Sequence, residues 1–217
     1  MKLLKTFTAA LALIAGAGLA QAADLTGTSG STKDGTGYSS IQGFYTELAL
    51  GYGFSQGDVV GFAPVGANLS ATGTLLNLRA GYDKINLAGK FGAGVYAEVG
   101  DAFDLRGGIN GNAFSENWSY GAGVKLFYDY GTGQAYVLGG YEGTEITATG
   151  ASPHLDGGMW GVGVNMKLAR NVYAKLEFDQ VYYGTVNWTA IQSGSPVNFS
   201  LGNVDNRVMF GFGLTVN

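Results

Sequence analysis

From Gly43 onward, apolar and polar residues alternate one by one in segments of about ten residues, each closed by a stretch rich in turn formers. In GFYTELALGYGF, Phe44, Leu48, Leu50, Tyr52 and Phe54 share one parity, and Tyr45, Glu47, Ala49, Gly51 and Gly53 the other. The second segment, TLLNLRAGY, sets Leu76, Leu78, Ala80 and Tyr82 against Asn77, Arg79 and Gly81. The third, KFGAGVYAEVG, sets Phe91, Ala93, Val95, Ala97 and Val99 against Lys90, Tyr96 and Glu98. WSYGAGVKLFYDY opposes Val124, Leu126 and Tyr128 to Lys125 and Asp129, and AYVLGGYE opposes Val137 and Tyr141 to Tyr136 and Glu142. MWGVGVNMKL opposes Val162, Val164 and Met166 to Asn165 and Lys167, and VYAKLEFDQVYYG opposes Leu176 and Phe178 to Lys175, Glu177 and Asp179. The eighth, RVMFGFGLTV, opposes Val208, Phe210, Phe212, Leu214 and Val216 to Arg207 and Thr215.

A period of two puts successive side chains on opposite faces of a strand. Eight such strands can close on themselves and remove the unpaired edges that a membrane would not tolerate. The pattern therefore predicts an all-β protein, an eight-stranded antiparallel up-and-down transmembrane β-barrel. Aromatics near segment ends, among them Phe44, Phe54, Tyr82, Trp118, Tyr130, Trp160 and Tyr182, fit interfacial girdles. A soluble cup would instead put its apolar face inside and its charges outside.

Connections alternate in length. Long stretches cover roughly 55–73, 101–117, 143–158 and 184–203, while Gly131–Gly133 and Ala169–Asn171 are short. Long external loops and short periplasmic turns are the habit of outer-membrane barrels. The last long stretch alternates too (Val186, Trp188, Ala190; Val197, Phe199, Leu201), which predicts a hairpin extending the seventh and eighth strands. An apparent parity switch between Leu201 and Val208 predicts a bulge near Gly202 and Asn203.

Composition sharpens this picture. Charged residues make up 13% of the chain, about half of the usual share, and there are 38 glycines and no cysteine. Gly51/Gly53, Gly92/Gly94, Gly121/Gly123, Gly161/Gly163 and Gly211/Gly213 all take the charged parity. Small residues there leave room in a narrow barrel for long side chains. None of these pairs opens a helix, so they do not read as phosphate-binding loops. Lys2 and Lys5, the uncharged run Phe7–Leu19 and Ala20-Gln21-Ala22 form a secretory signal pattern spanning 1–22, rather than a membrane anchor. Residues 23–42 read as a flexible polar segment and 43–217 as the barrel. Removing two lysines with the leader takes the net charge from −4 to −6, and nothing marks a nucleic-acid footprint.

Six basic residues (Arg79, Lys90, Lys125, Lys167, Lys175, Arg207) and six acidic ones (Glu47, Glu98, Asp129, Glu142, Glu177, Asp179) share the inward parity. They are the candidate lumen charge network, expected to be nearly electroneutral and to plug the barrel. The external stretches hold Asp58, Asp101, Asp104, Glu116, Glu145, Asp156 and Asp205 against Arg106 alone. Phe62, Phe114, Trp188 and Phe199 are the candidate loop contacts for a ligand. The lone histidine, His154, stands between Ser152 and Asp156 but next to Pro153, in a loop rather than on an outward strand position. No catalytic group, metal or cofactor is expected from this arrangement.

GFYTELALGYGF, NVYAKLEFDQVYYG and NRVMFGFGLTV resemble the small outer-membrane β-barrel superfamily, which includes OmpA-type and OmpX-type barrels, opacity proteins and alphaproteobacterial major surface proteins. The resemblance covers about 43–217. It departs from the family at Asn217, where an aromatic residue is usual, and no OmpA-like peptidoglycan-binding domain is seen after the barrel. The resemblance implies location in the bacterial outer membrane, with outer-membrane lipids, lipopolysaccharide and the barrel-assembly machinery as partners. It also implies a structural, envelope-stabilising, surface-exposed role without catalysis. The alternatives are an adhesin that meets a host or matrix ligand through four external loops, and a narrow channel.

Overall fold

The computed structural model describes residues 41–60, 67–87, 90–102, 106–109, 112–148, 152–192 and 195–216. The proposed signal peptide and nearly all of the polar segment, together with Phe62, lie outside them. Nine strands are present among the described residues: β1 Gly43–Val60, β2 Ala67–Leu87, β3 Phe91–Ala102, β4 Arg106–Ile109, β5 Asn112–Asp129, β6 Gly133–Ala148, β7 His154–Lys167, β8 Val172–Gln192 and β9 Ser195–Val216. Each long strand pairs antiparallel with its neighbours, and β1 pairs with both β2 and β9. The sheet is thus a closed eight-stranded barrel with no free edge along its wall. The short β4 is a ninth piece: it forms a hairpin with β5 and pairs with Ala71 and Thr72 of β2, taking up the wall where β3 ends.

The eight alternating segments become the eight long strands, because alternation is what a two-faced sheet requires. Every wall strand turns an apolar residue outward: Leu50, Tyr82, Val95, Val124, Val137, Val162, Leu176 and Phe210 are all exposed. Neighbouring inward positions are buried, as Leu176 at 52% and Lys175 at 1% show. A continuous apolar belt around a charged interior is stable against lipid and costly against water. Aromatics flank the belt. Phe44 packs edge-on against Tyr82 at 4.9 Å, and Phe91 lies tilted against Tyr128 at 5.0 Å, at the end that carries the short turns. Trp118, Tyr120, Tyr141, Trp160 and Tyr182 flank its other end.

The turns are tight. Gly131, at φ +92°, sits in the β5–β6 turn, where its N–H donates to Asp129 Oδ1 at 2.7 Å. At the opposite end the wall rises higher than the sequence pattern predicts. Much of each stretch read as external loop is strand: β1 reaches Val60, β5 starts at Asn112 and β6 runs to Ala148. Backbone pairing continues there because strands already in register extend at little cost beyond the belt. The β8–β9 hairpin is the longest projection, pairing Trp188 with Phe199 and Gln192 with Ser195.

The expected bulge lies on the other strand of that pair. Gly184 and Thr185 of β8 face the single residue Gly202, whereas β9 keeps its alternation and buries Leu201, Asn203, Asp205 and Arg207 in turn. Leu201 is an apolar residue inside the barrel, so it mimics a parity switch that β9 does not make. Just before β1, Ile41 is buried and its carbonyl accepts a hydrogen bond from the Gln134 side chain.

Candidate functional site

The lumen is filled. Glycines on the inward face lie opposite bulky side chains: a Cβ at Gly94 would meet the Asp83 carboxylate, at Gly161 that of Asp179, at Gly163 the Tyr136 ring and at Gly213 the Tyr173 ring. Their bareness creates the space that tyrosines and charged groups occupy.

Two arginines organise the charges. Arg79, from β2, donates through Nη1 and Nη2 to Glu177 at 2.7 and 2.9 Å, and meets Glu98 at 2.8 Å and Glu47 at 3.6 Å. Lys175 closes the group, 3.0 Å from Glu47 and 2.8 Å from Glu177. Tyr136 donates to Glu177 at 2.7 Å and Tyr173 to Glu47 at 2.8 Å, while the Tyr96 ring lies 4.6 Å from the Arg79 guanidinium. The second group lies nearer the loop end. Arg207 meets Glu142 at 2.6 Å, Asp205 at 3.2 Å and Glu116 at 3.5 Å, and donates to the Tyr183 hydroxyl at 2.9 Å. Ser55 and Asn203 prolong it upward: Ser55 donates to Asn203 at 2.7 Å, and Asn203 to Asp205 at 2.8 Å. A third, smaller contact pairs Lys125 with Asp83 at 2.5 Å, the Lys125 ammonium lying 4.4 Å from the Tyr45 ring centre.

The structure buries ten of the twelve network candidates: Glu47, Arg79, Glu98, Lys125, Asp129, Glu142, Lys175, Glu177, Asp179 and Arg207. Lys90 is instead exposed beside the β2–β3 turn, and Lys167 is only partly buried at the turn end. Three carboxylates are added. Asp83 continues the inward parity of Arg79 and Gly81, one residue beyond the TLLNLRAGY segment. Asp205 shares the parity of Arg207. Glu116 could not be read from parity, because a bulge at Asn117–Trp118, opposite Glu145, switches the face of β5.

These changes overturn the expectation of near neutrality. Among the described residues nine carboxylates are buried (Glu47, Asp83, Glu98, Glu116, Asp129, Glu142, Glu177, Asp179, Asp205) against four cations, Arg79, Lys125, Lys175 and Arg207. They also revise the charged-loop reading. Glu116 and Asp205 point into the barrel and Asp101 is half-buried, while Glu145 and Asp156 are surface groups of β6 and β7.

His154 begins β7 rather than sitting in a loop. Its Nε2 lies 2.9 Å from Asp156 Oδ1 and 3.1 Å from the Tyr120 hydroxyl, and its ring stacks on that of Tyr120. Both contacts use one ring nitrogen, whereas a nucleophile–base–acid relay needs both. Of the candidate loop contacts, Phe114, Trp188 and Phe199 lie on β5, β8 and β9, their side chains outside the described residues.

No protein-family model and no curated protein sequence matches the chain. Solved structures do. Outer membrane protein OprG from Pseudomonas aeruginosa is 12% identical, matched over 82% of this chain and 97% of its own, with a TM-score of 0.55. Outer membrane protein AlkL, solved in DMPC lipid bilayers, is 11% identical over 87% of this chain and 96% of its own, at 0.50. The outer membrane protease OmpT from Escherichia coli is 9% identical over 81% and 97%, at 0.44, too distant to bear on activity. Identities this low speak to architecture alone. With its closed eight-stranded wall, apolar belt and charged interior, the chain has the fold of the small outer-membrane β-barrels.

Proposed function

We propose that this protein is an integral barrel of the bacterial outer membrane, exported through a cleaved leader, whose filled lumen serves envelope stability rather than catalysis or general permeation. One observation carries this reading: Arg79 and Arg207 each meet three carboxylates inside the barrel, where an open pore would need water. Water-filled channels come with about sixteen or more strands. The apolar belt calls for lipid outside, with lipopolysaccharide around the loop end and the barrel-assembly machinery as the partner during insertion. Planar-bilayer recording of the folded monomer, together with detergent sensitivity of cells lacking the protein, tests the proposal. Small or absent conductance and a leaky envelope are expected; large, steady conductance would overturn it.

The β8–β9 hairpin favours a second reading. It projects well past the Gly184–Thr185 bulge and pairs Trp188 with Phe199, as a surface element that meets a host or matrix ligand could. Binding of the purified protein to matrix proteins, with and without residues 186–201, distinguishes the two. Binding lost with the hairpin supports a ligand role, and equal or absent binding leaves the envelope role alone.

A further inference from the structure

Charges at the turn end of the barrel are sorted by sign. The acids there face inward: Asp83 is buried against Lys125 at 2.5 Å, and Asp129 is buried with its Oδ1 on the Gly131 N–H. The cations reach the surface. Lys84, Lys90 and Arg170 are exposed, and Lys167 is partly buried. Among the described residues, Lys84, Lys90 and Arg170 have no ion-pair partner. At the loop end the sign is reversed. Asp101, Glu145 and Asp156 reach the surface there, and no lysine or arginine whose side chain is described joins them.

Backbone pairing fixes where the exposed cations stand. Lys84 is the next outward residue of β2 beyond Tyr82 of the Phe44–Tyr82 pair, and its cross-strand partner is the small Ala93. Lys90 directly precedes Phe91 of the Phe91–Tyr128 pair, and its carbonyl accepts the Asp129 N–H at 2.7 Å. Arg170 sits in the β7–β8 turn, which is closed by the Leu168 and Ala169 N–H groups donating to the Val172 carbonyl at 2.9 and 3.1 Å. Lys84 and Lys90 thus stand against the aromatic girdle, at the depth where headgroups begin. A long basic side chain there lays its stem on the apolar wall and keeps its charge among the headgroups. The strand order puts the β2–β3 and β7–β8 turns on opposite sides of the closed wall, so the cations face lipid on both sides.

We propose that Lys84, Lys90 and Arg170 form a binding surface for anionic phospholipid headgroups, of the phosphatidylglycerol class, in the leaflet that meets the turns. The proposal rests on the outer-membrane reading above and adds to it a lipid preference at one end of the barrel. Basic groups next to an anionic lipid surface are drawn to it, and here no carboxylate among the described residues competes for them. The phosphate of such a headgroup accepts charge-assisted hydrogen bonds from ammonium and guanidinium donors. A zwitterionic headgroup carries its own cation beside the phosphate and gains less. The acids of the loop end repel the same headgroups, so the charge pattern distinguishes one leaflet from the other.

Spin-labelled lipids test this. The folded full-length chain is reconstituted into phosphatidylcholine vesicles that hold a trace of spin-labelled phosphatidylglycerol or, separately, spin-labelled phosphatidylcholine. Electron paramagnetic resonance then measures the fraction of each label immobilised against the protein. Two variants are compared, both checked for folding by the electrophoretic mobility of unheated samples: Lys84→Gln/Lys90→Gln/Arg170→Gln at the turn end, and Asp101→Asn/Glu145→Gln/Asp156→Asn at the loop end. Expected is a severalfold excess of immobilised phosphatidylglycerol at low salt, lost at high salt and in the turn-end variant but kept in the loop-end variant. Equal fractions of the two labels in the wild type, or an excess that survives in the turn-end variant, overturn the proposal. Equal fractions together with binding of the wild type to isolated peptidoglycan, lost in the turn-end variant, assign the cations to the cell wall and overturn it too. In each of these cases an immobilised phosphatidylcholine fraction leaves the membrane reading standing. No immobilised lipid of either kind overturns that reading and the lipid preference with it.

Discussion

Arg79 grips both carboxylate oxygens of Glu177, at 2.7 and 2.9 Å, although 98 residues separate the two in sequence. The fork of the guanidinium matches the carboxylate in a way a lysine cannot. Because the contact crosses the lumen between β2 and β8, it ties opposite parts of the wall together. Removing Arg79 leaves Glu47 and Glu177 with Lys175 as their ion-pair partner and takes from Glu98 the guanidinium at 2.8 Å. Arg79→Met is therefore expected to destabilise the barrel by about 3–5 kcal/mol. Urea unfolding in lipid vesicles measures this, and a loss no larger than that of a surface substitution would contradict it.

Leu176→Arg and Lys175→Leu change adjacent residues on opposite faces. The first places a charge in lipid and is expected to cost roughly 2–4 kcal/mol near the belt's middle. The second avoids lipid but strips Glu47 and Glu177 of a cation at 3.0 and 2.8 Å. Adding Glu47→Gln is expected to recover part of the Lys175→Leu loss and none of the Leu176→Arg loss. Equal recovery in the two unfolding series would show that both side chains face the same medium.

Glycine substitutions separate filled from open space. A side chain at Gly213 runs into the Tyr173 ring, whereas one at Gly158 meets nothing within 4 Å. Gly213→Val is expected to cost about 1–3 kcal/mol through overpacking. Gly158→Ala is expected to leave thermal stability unchanged. Loss of the heat-sensitive compact band on gels at a lower temperature for the first alone is the predicted signature.

His154→Ala is expected to leave the mass spectrum of lipid A unchanged in cells carrying the protein. The ring's contacts to Asp156 and Tyr120 converge on one nitrogen, so it is not arranged to pass a proton to a nucleophile. A protein-dependent change in lipid A that disappears in the variant would establish a hydrolase or transferase instead.

The sequence alone was enough for the wall. Alternation is a local property of an extended chain, so the faces of Leu176 and Lys175, or of Phe210 and Arg207, can be read without knowing any partner strand. Its failures came where local parity is broken or masked: the bulge at Asn117–Trp118 turned Glu116 inward, and buried Leu201 imitated a switch in β9. The strands also run beyond the alternating segments, since backbone pairing above the belt no longer needs an apolar face to sustain it. Which charge meets which was decided by the closed barrel only. Strand tilt and stagger set the height of each residue and thus who faces whom across the lumen. Those heights join Arg79 to Glu177 and leave Lys90 outside the barrel. The same geometry turns an apparently balanced set of charges into an acidic interior.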